Sequence, residues 1–244
     1  MTTRTTEASP LVYARVAGVA YLVITVVAVL YGVLVESQLI VPGNDAQTAT
    51  NILAHESLFR LGIVLVLTIY VSVVVASWAL YVILRTVHSN LALLGLLLRS
   101  AEAIVGAATV LISFAVVHVL GGNGPSNAFE PEQLQLLAGR FLDVRTAGLD
   151  IVLVFIGIGA TIFCYLLFKS KYIPRALAAW GIFTYLSMLV LALVSILFPN
   201  HPLMLETVLY SVGAFFELTF GLWLLFKGVD PEQWAKHAQG EPSS

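Results

Sequence analysis

Two oppositely charged residues, Arg99 and Glu102, lie inside an otherwise apolar run from Leu96 to Ser113. A charged side chain at the centre of a bilayer costs roughly 2.5 to 3.5 kcal/mol on insertion scales. Residues three apart share one face of a helix, so we expect these two side chains to form a polar stripe that faces protein or water rather than lipid. Another carboxylate, Glu217, lies in a later apolar run.

These three residues could form one buried polar cluster. Counted from the cytoplasmic ends of their predicted spans, Glu102 is about 11 residues in and Glu217 about 10, so both lie roughly 15 to 17 Å deep at 1.5 Å per residue. Arg99 is one turn away and could pair with either carboxylate. Two carboxylates and one guanidinium leave one negative charge, so we expect one carboxylate to hold a proton. Such clusters serve as proton relays or substrate sites, but the favoured alternative is a structural ion pair, with a neutral glutamic acid beside it, that locks two helices together.

A second set of polar residues is predicted at the opposite ends of the spans, where it could close an external mouth of the bundle. Its members are Arg60, Arg145, Asp150 and Glu206. Snorkelling of the arginines to lipid headgroups explains two of these positions equally well.

Three histidines, His55, His118 and His201, are predicted on the same external side. Three imidazoles and a carboxylate would suit zinc or copper. The three come from different segments, however, and HESLF lacks the second histidine of the HExxH motif. We therefore expect no metal site and no cofactor, with interfacial hydrogen bonding as the role of these histidines.

The composition indicates whether water or lipid surrounds the folded chain. Of its 244 residues, 59% are hydrophobic and 11% are charged, and the mean hydropathy is +0.94, whereas about a quarter of the residues of a soluble domain are charged. We predict an integral membrane protein of the cell membrane. A net charge of −2 without a basic cluster argues against nucleic acid as a partner, and the single cysteine, Cys164, excludes an intrachain disulfide. Membrane lipids are the expected partners, self-association is left open, and no small-molecule ligand is identified.

The apolar runs predict an all-α bundle of six membrane spans in a single domain, residues 16–228, between a tail of residues 1–15 and a polar tail of residues 229–244. The predicted spans are Val16 to Val35, Leu61 to Leu84, Leu91 to Leu120, Leu149 to Phe168, Ala176 to Phe198 and Leu203 to Phe226. Most lysines and arginines flank these spans on one side, so the positive-inside rule places both termini in the cytoplasm.

The two longer connections are predicted to be external and to contain amphipathic helices. In the first, Asn44 or Asp45 is the expected helix cap before a helix from Ala46 to Phe59. In the second, a helix from Glu132 to Phe141 is expected after Pro131, leading into the fourth span.

Four short stretches occur in a familiar order: LFRLG from Leu58, LLLRSAEA from Leu96, FKSKYIPRALA from Phe168 and ELTFGLWLLFKGV from Glu217. On these motifs the chain resembles, over nearly its whole length, the prokaryotic membrane family catalogued as domain of unknown function 4386. The resemblance implies a multi-helix membrane protein without an assigned activity. The positions that match polar residues of the family pattern are Arg60, Arg99, Glu102, Pro174, Arg175 and Glu217. Where the pattern leads us to expect a histidine, before the fourth span, this chain has DVRTAGLD, which includes Arg145.

The sequence leaves three functional classes open. The first is a membrane protein with a structural or accessory role. The second is a small oligomeric transporter or proton-coupled carrier, in which each half of the bundle carries a carboxylate on its third helix. The third is an intramembrane enzyme on a lipid-soluble substrate, with Glu102 or Glu217 as acid or base. Closed packing around the cluster would favour the first class, a water-filled path the second and an apolar pocket open to lipid the third.

Overall fold

The computed structural model describes residues 9–121, 130–198 and 203–239, and within these ranges the chain forms helices and turns without a β-strand. Five helices in this part of the chain are long and apolar enough to cross a membrane. The predicted all-α class is therefore confirmed, and the helices are compatible with a transmembrane bundle.

The helices are numbered in chain order, and the longest helical stretch, Glu56–Leu120, is divided at a break at His88. They are α1 (Pro10–Leu39, with a π-helical segment Gly32–Glu36), α2 (Asp45–Ala54), α3 (residues 56–87), α4 (residues 89–120), α5 (Pro131–Ser170), α6 (Arg175–Leu197), α7 (Leu203–Phe226) and α8 (Pro231–Ala238).

The break at His88 separates two arms that pack against each other. His88 has φ −160° and ψ 96°, which is extended rather than helical backbone. Tyr70 and Gly106 each lie 18 residues from it, and the Tyr70 ring packs directly against Gly106, where it leaves no room for a side chain. Because equidistant residues meet, α3 and α4 form an antiparallel pair.

The two predicted amphipathic segments differ from the expectation in their bounds. Asn44 does cap α2, and its side chain accepts a hydrogen bond from the backbone N–H of Gln47 at 3.0 Å. The helix ends at Ala54 rather than Phe59, because His55 leaves the helical region with φ −130° and ψ 44°. The second segment is not separate: α5 begins at Pro131 and runs unbroken through the fourth predicted span.

The helices close into a ring in which α1 packs against the α3/α4 pair and against α7, while α5 packs against that pair and α6, and α6 against α7. Close contacts at glycines allow this packing. At the α1–α7 contact, a Cβ on Gly18 would lie 2.6 Å from the backbone nitrogen of Leu225 and 2.8 Å from the carbonyl oxygen of Gly221. The interior contains two hydrophobic clusters, one toward each end of the ring.

The turn between α5 and α6 contacts several other helices at one end of the ring. We call this end of the ring the basic end. The backbone N–H of Asp230 donates to the carbonyl of Tyr172 at 2.9 Å, and the Tyr172 hydroxyl is 2.8 Å from that of Thr86. The ring of His237 in α8 lies edge-on to that of Tyr172, at 5.4 Å between centroids. The side chains around two surface clefts at this end include Arg85, Lys171, Arg175 and Lys227.

Candidate functional site

The ion pair inside the ring is formed by Arg99 and Glu102 of α4. Their Nη1 and Oε2 atoms are 2.6 Å apart, and each residue is only 2% exposed. A glycine on the neighbouring helix makes room for the pair, because a Cβ on Gly159 of α5 would lie 3.1 Å from Cγ of Arg99. The i, i+3 spacing seen in the sequence thus becomes a direct contact within one helix.

Glu217 of α7 joins the same layer through a tyrosine. The hydroxyl of Tyr185 on α6 donates to Oε1 of Glu217 at 3.0 Å, and Tyr185 is also hydrogen-bonded to Tyr21 on α1. Unlike the ion pair, the Glu217 side chain is only half-buried. Four helices, α1, α4, α6 and α7, therefore contribute polar groups to one layer, here called the polar layer.

The charges of the polar layer interact with one another. Arg99 is coupled electrostatically to both carboxylates, Glu102 and Glu217, and to the two tyrosines, Tyr21 and Tyr185. With both carboxylates ionised, the layer would carry one net negative charge. Low dielectric surroundings strengthen such interactions and make a surplus charge expensive.

Two buried polar atoms in this region have neither a hydrogen-bond nor an ion-pair partner among the described residues, Nε of Arg99 and Oγ1 of Thr184 on α6. An unpaired buried donor costs about 1 to 3 kcal/mol and more when it is charged. Arg99 is therefore shielded from solvent, yet one of its N–H donors has no described hydrogen-bond acceptor.

Sequence reasoning missed Tyr21, Tyr185 and Thr184. A depth count could have found Tyr185: it lies 10 residues after the start of α6, and Glu217 lies 9 residues before the end of α7. At 1.5 Å per residue the two are at nearly equal depth, roughly 14 to 15 Å from the basic end. Their rotation toward each other depends on packing that the sequence does not specify.

A separate cavity of about 200 Å³ lies farther from the basic end, between α1, α3, α4 and α5, and we call it the outer cavity. Apolar side chains form most of its wall, but it also contains Arg145 and four hydroxyl groups. The hydroxyl groups are those of Tyr31, Tyr70, Thr109 and Ser113.

Arg145, predicted as a mouth residue, is half-buried in the wall of the outer cavity. It donates a hydrogen bond to the Tyr31 hydroxyl, and its guanidinium carbon is 5.7 Å from the centroid of the same ring. Arg60 instead pairs with Glu56 on its own helix, with 2.6 Å between Nε and Oε1, and is largely exposed. Asp150 is half-buried. Glu206 lies in α7, and its side chain is outside the described part of the chain.

The histidines do not form a site in the described part of the chain. His55 is exposed at the break before α3, and His118 is exposed near the end of α4. His201 lies outside the described residues. Within those residues, no group of three or more His, Cys, Asp or Glu side chains could hold a metal ion.

Long apolar helices around a buried ion pair are compatible with the class of polytopic helical membrane proteins. The match of residues 16–228 to a family model narrows the class further: the chain belongs to the family described as Domain of unknown function (DUF4386). The resemblance seen in the sequence motifs is thereby confirmed. No curated protein and no solved structure matches the chain.

Proposed function

We propose that the chain crosses the membrane six times, with both termini on the cytoplasmic side. The 65-residue stretch Glu56–Leu120 would be roughly 97 Å long as one straight helix, about three times the thickness of the hydrocarbon core. The break at His88 and the antiparallel contact of Tyr70 with Gly106 support two spans in this stretch. The cations gathered at the basic end support its placement in the cytoplasm.

Within this bundle, we propose a structural role for the polar layer and a structural or accessory role for the protein. The observation that carries this proposal is the closure around the ion pair: Arg99 and Glu102 are each 2% exposed. Neither residue lines the outer cavity, whose wall includes Tyr70 and Thr109. The pair is sealed from solvent and offers no path for a solute. The coupling of Arg99 to Glu217 and the hydrogen bond from Tyr185 to Glu217 connect α4, α6 and α7.

The experiment that tests this role measures both stability and proton uptake of the purified protein between pH 5 and 9. Glu102→Gln should lower the unfolding temperature without abolishing a proton-binding step. The matched control is Glu56→Gln, which removes an exposed carboxylate that is also paired with an arginine on its own helix. A wild-type proton-binding step that disappears in a folded Glu102→Gln variant would contradict a purely structural role.

A proton-coupled carrier is the second candidate, and one observation favours it. Glu217 remains half-buried and holds only one described hydrogen bond, from Tyr185, in a layer that would carry one net negative charge with both carboxylates ionised. In a carrier this carboxylate would take up and release the proton. The same titration separates the two roles: a wild-type proton-binding step that is lost in a folded Glu217→Gln variant would favour the carrier.

A further inference from the structure

We propose that the outer cavity is a binding site for a small aliphatic carboxylate, whose charged head pairs with Arg145 and whose body fills the apolar part of the cavity. This inference does not depend on the role of the polar layer. It rests on the position of one cation in the wall of an otherwise mainly apolar cavity.

The chemistry of Arg145 suits a carboxylate. An arginine side chain carries five N–H donors in a planar fork that matches the two oxygens of a carboxylate. The bond to the Tyr31 hydroxyl uses one of these donors and fixes the guanidinium against the aromatic ring. Among the described residues, no carboxylate forms an ion pair with Arg145. Glu36 acts electrostatically on the same Tyr31 hydroxyl but forms no described ion pair with Arg145, so this fixed guanidinium is a preorganised partner for an external anion.

The remaining wall suits an aliphatic chain. Phe59, Ile63, Val66 and Val110 line the cavity with hydrocarbon. Gly62 lets Val35 pack against α3, because a Cβ there would lie 2.7 Å from Cγ1 of Val35. Of the four hydroxyl groups, that of Thr109 donates a hydrogen bond to the carbonyl of Gly106 at 2.6 Å. A volume of about 200 Å³ is below the roughly 300 to 1,000 Å³ of sites for drug-sized ligands, so the cavity would hold a short aliphatic carboxylate or only the carboxyl end of a longer one.

The position of the cavity across the membrane also suits an amphiphilic ligand. Arg145 lies 25 residues before the end of α5, roughly 37 Å along the helix from the basic end at 1.5 Å per residue. Tyr70 lies 18 residues from the break at His88, roughly 27 Å on the same scale. The charged end of the ligand would therefore lie at the level of the far membrane surface, and its chain would point into the hydrocarbon region.

The test uses hexanoate as the probe and hexan-1-ol as the uncharged molecule of equal chain length. Thermal unfolding of the purified protein in detergent is followed as each is titrated. A ligand that binds only the folded state raises the unfolding temperature. We expect hexanoate to raise it for wild type and hexan-1-ol to have little effect. In Arg145→Gln the apparent Kd for hexanoate should rise about tenfold or more, because a charge-assisted contact is lost.

The matched control for the charge is Arg140→Gln, five residues earlier on α5, where the arginine is exposed and pairs with Asp143 at 3.2 Å. This variant should respond to hexanoate as wild type does. If Arg145→Gln does not fold, Ser113→Leu provides a second test, since it fills the cavity and keeps the arginine. Its control is Ser211→Leu, at an exposed serine of α7. Ser113→Leu should abolish the shift and Ser211→Leu should preserve it.

A carboxylate could reach the cavity from water or from the lipid. Hexadecanoate incorporated into nanodiscs, with retention measured by native mass spectrometry, tests the lipid source. Retention that is lost in Arg145→Gln or Ser113→Leu supports the site with a fatty acid from the bilayer, and a hexanoate shift alone supports a water-borne ligand. The proposal is overturned if neither probe binds wild type, if hexan-1-ol acts as strongly as hexanoate, or if the variants at Arg145 and Ser113 bind like their controls.

Discussion

The buried ion pair depends on both of its members at once. Each of Arg99 and Glu102 is 2% exposed, so removing one partner leaves the other charge without its neighbour at 2.6 Å, in a medium of low dielectric constant. Breaking a buried pair in this way typically costs about 3 to 5 kcal/mol, whereas replacing both partners with apolar residues is often nearly neutral. The stability of the protein should therefore respond non-additively to substitutions at these two positions.

We predict that Glu102→Leu lowers the free energy of unfolding by about 3 to 5 kcal/mol and that the double variant Arg99→Leu/Glu102→Leu loses less than this single variant. Denaturant titration in mixed micelles measures all four members of the cycle. The exposed pair of Arg60 and Glu56 provides the comparison, since Glu56→Leu should cost at most about 1 kcal/mol. Additive losses at Arg99 and Glu102 would show that the two charges act independently.

Tyr172 is a titratable residue whose hydroxyl should make the stability of the protein depend on pH. It lies in the turn between α5 and α6, and burial raises the pKa of its hydroxyl to about 12, although the hydrogen bond with Thr86 acts in the opposite direction. As the pH rises, the unfolded chain loses this proton first, near its ordinary pKa of 10. The contribution of Tyr172 to stability is therefore complete below pH 10 and is lost as the pH rises from 10 to about 12.

We predict that the unfolding temperature of wild type falls more steeply between pH 10 and 12 than that of Tyr172→Phe, which lacks the titrating hydroxyl. Near pH 8 the variant should be less stable, because the contact with Thr86 at 2.8 Å is lost. Scans of both proteins at matched ionic strength give the difference. Parallel curves above pH 10 would mean that Tyr172 does not contribute to the alkaline transition.

At the scale of the helices, the sequence predicted most of what local pattern controls. The bounds of α7 agree with the predicted run from Leu203 to Phe226, because a long apolar run between polar ends has few alternatives. The unbroken α5 was not predicted, although a helix starting at Glu132, one residue after its actual start, was, since an amphipathic turn and an apolar span can continue one helix without a break. The helix α8 was missed within a tail described only as polar.

The candidate site, too, could be predicted from the sequence only in part. The burial of Arg99 beside Glu102 followed from their spacing and from the cost of charge in lipid. The contact of Tyr185 with Glu217 required knowing which faces of α6 and α7 meet. That choice depends on close contacts between distant helices, many of them at glycines, and a single sequence does not reveal those pairings.

Gly18 is the position where such a contact can be tested. Its neighbours across the α1–α7 contact are backbone atoms, and the nearest would lie 2.6 Å from an added methyl carbon, so no rotation of a side chain can relieve the clash. We predict that Gly18→Ala separates the two helices and costs about 1 to 3 kcal/mol. Gly32→Ala on the same helix is the control, because a methyl group there meets no atom within 4 Å.

Unfolding measurements on both variants decide this prediction, and the polar layer provides a second readout. Tyr21 lies one turn from Gly18 on α1, and its ring contacts that of Phe220 on α7 at 5.0 Å between centroids. Displacing α7 should therefore also disturb the environment of Glu217. Equal stability of Gly18→Ala and Gly32→Ala would show that the α1–α7 contact adjusts without cost.

For the molecule as a whole, the polar layer and the two hydrophobic clusters stabilise the ring in different ways. The helices bury apolar side chains in one cluster near the basic end and another near the outer cavity. Lipid offers little hydrophobic driving force between helices, so close packing and buried polar contacts must hold the ring together. The polar layer contributes polar groups from α1, α4, α6 and α7, with hydrogen bonds between α6 and α7 and between α1 and α6.

The arrangement of six spans makes a prediction that a five-span arrangement does not share. If the chain turns at His88, that residue lies at the same membrane surface as the end of α8, while α2 lies at the opposite surface. If the stretch Glu56–Leu120 crossed only once, His88 would lie inside the membrane and the two termini would lie on opposite sides. Single cysteines in a Cys164→Ser background distinguish these cases.

We predict that a membrane-impermeant maleimide added to intact cells labels Thr50→Cys, on an exposed face of α2, and labels His88→Cys and Gln239→Cys only after the cells are opened. The reason is that the cations of the basic end favour the cytoplasmic surface. Arg140→Cys, exposed near the start of α5, is the control for the outer surface and should behave as Thr50→Cys does. Resistance of His88→Cys to labelling in opened cells would contradict the turn at that residue, and labelling of Gln239→Cys in intact cells would reverse the orientation.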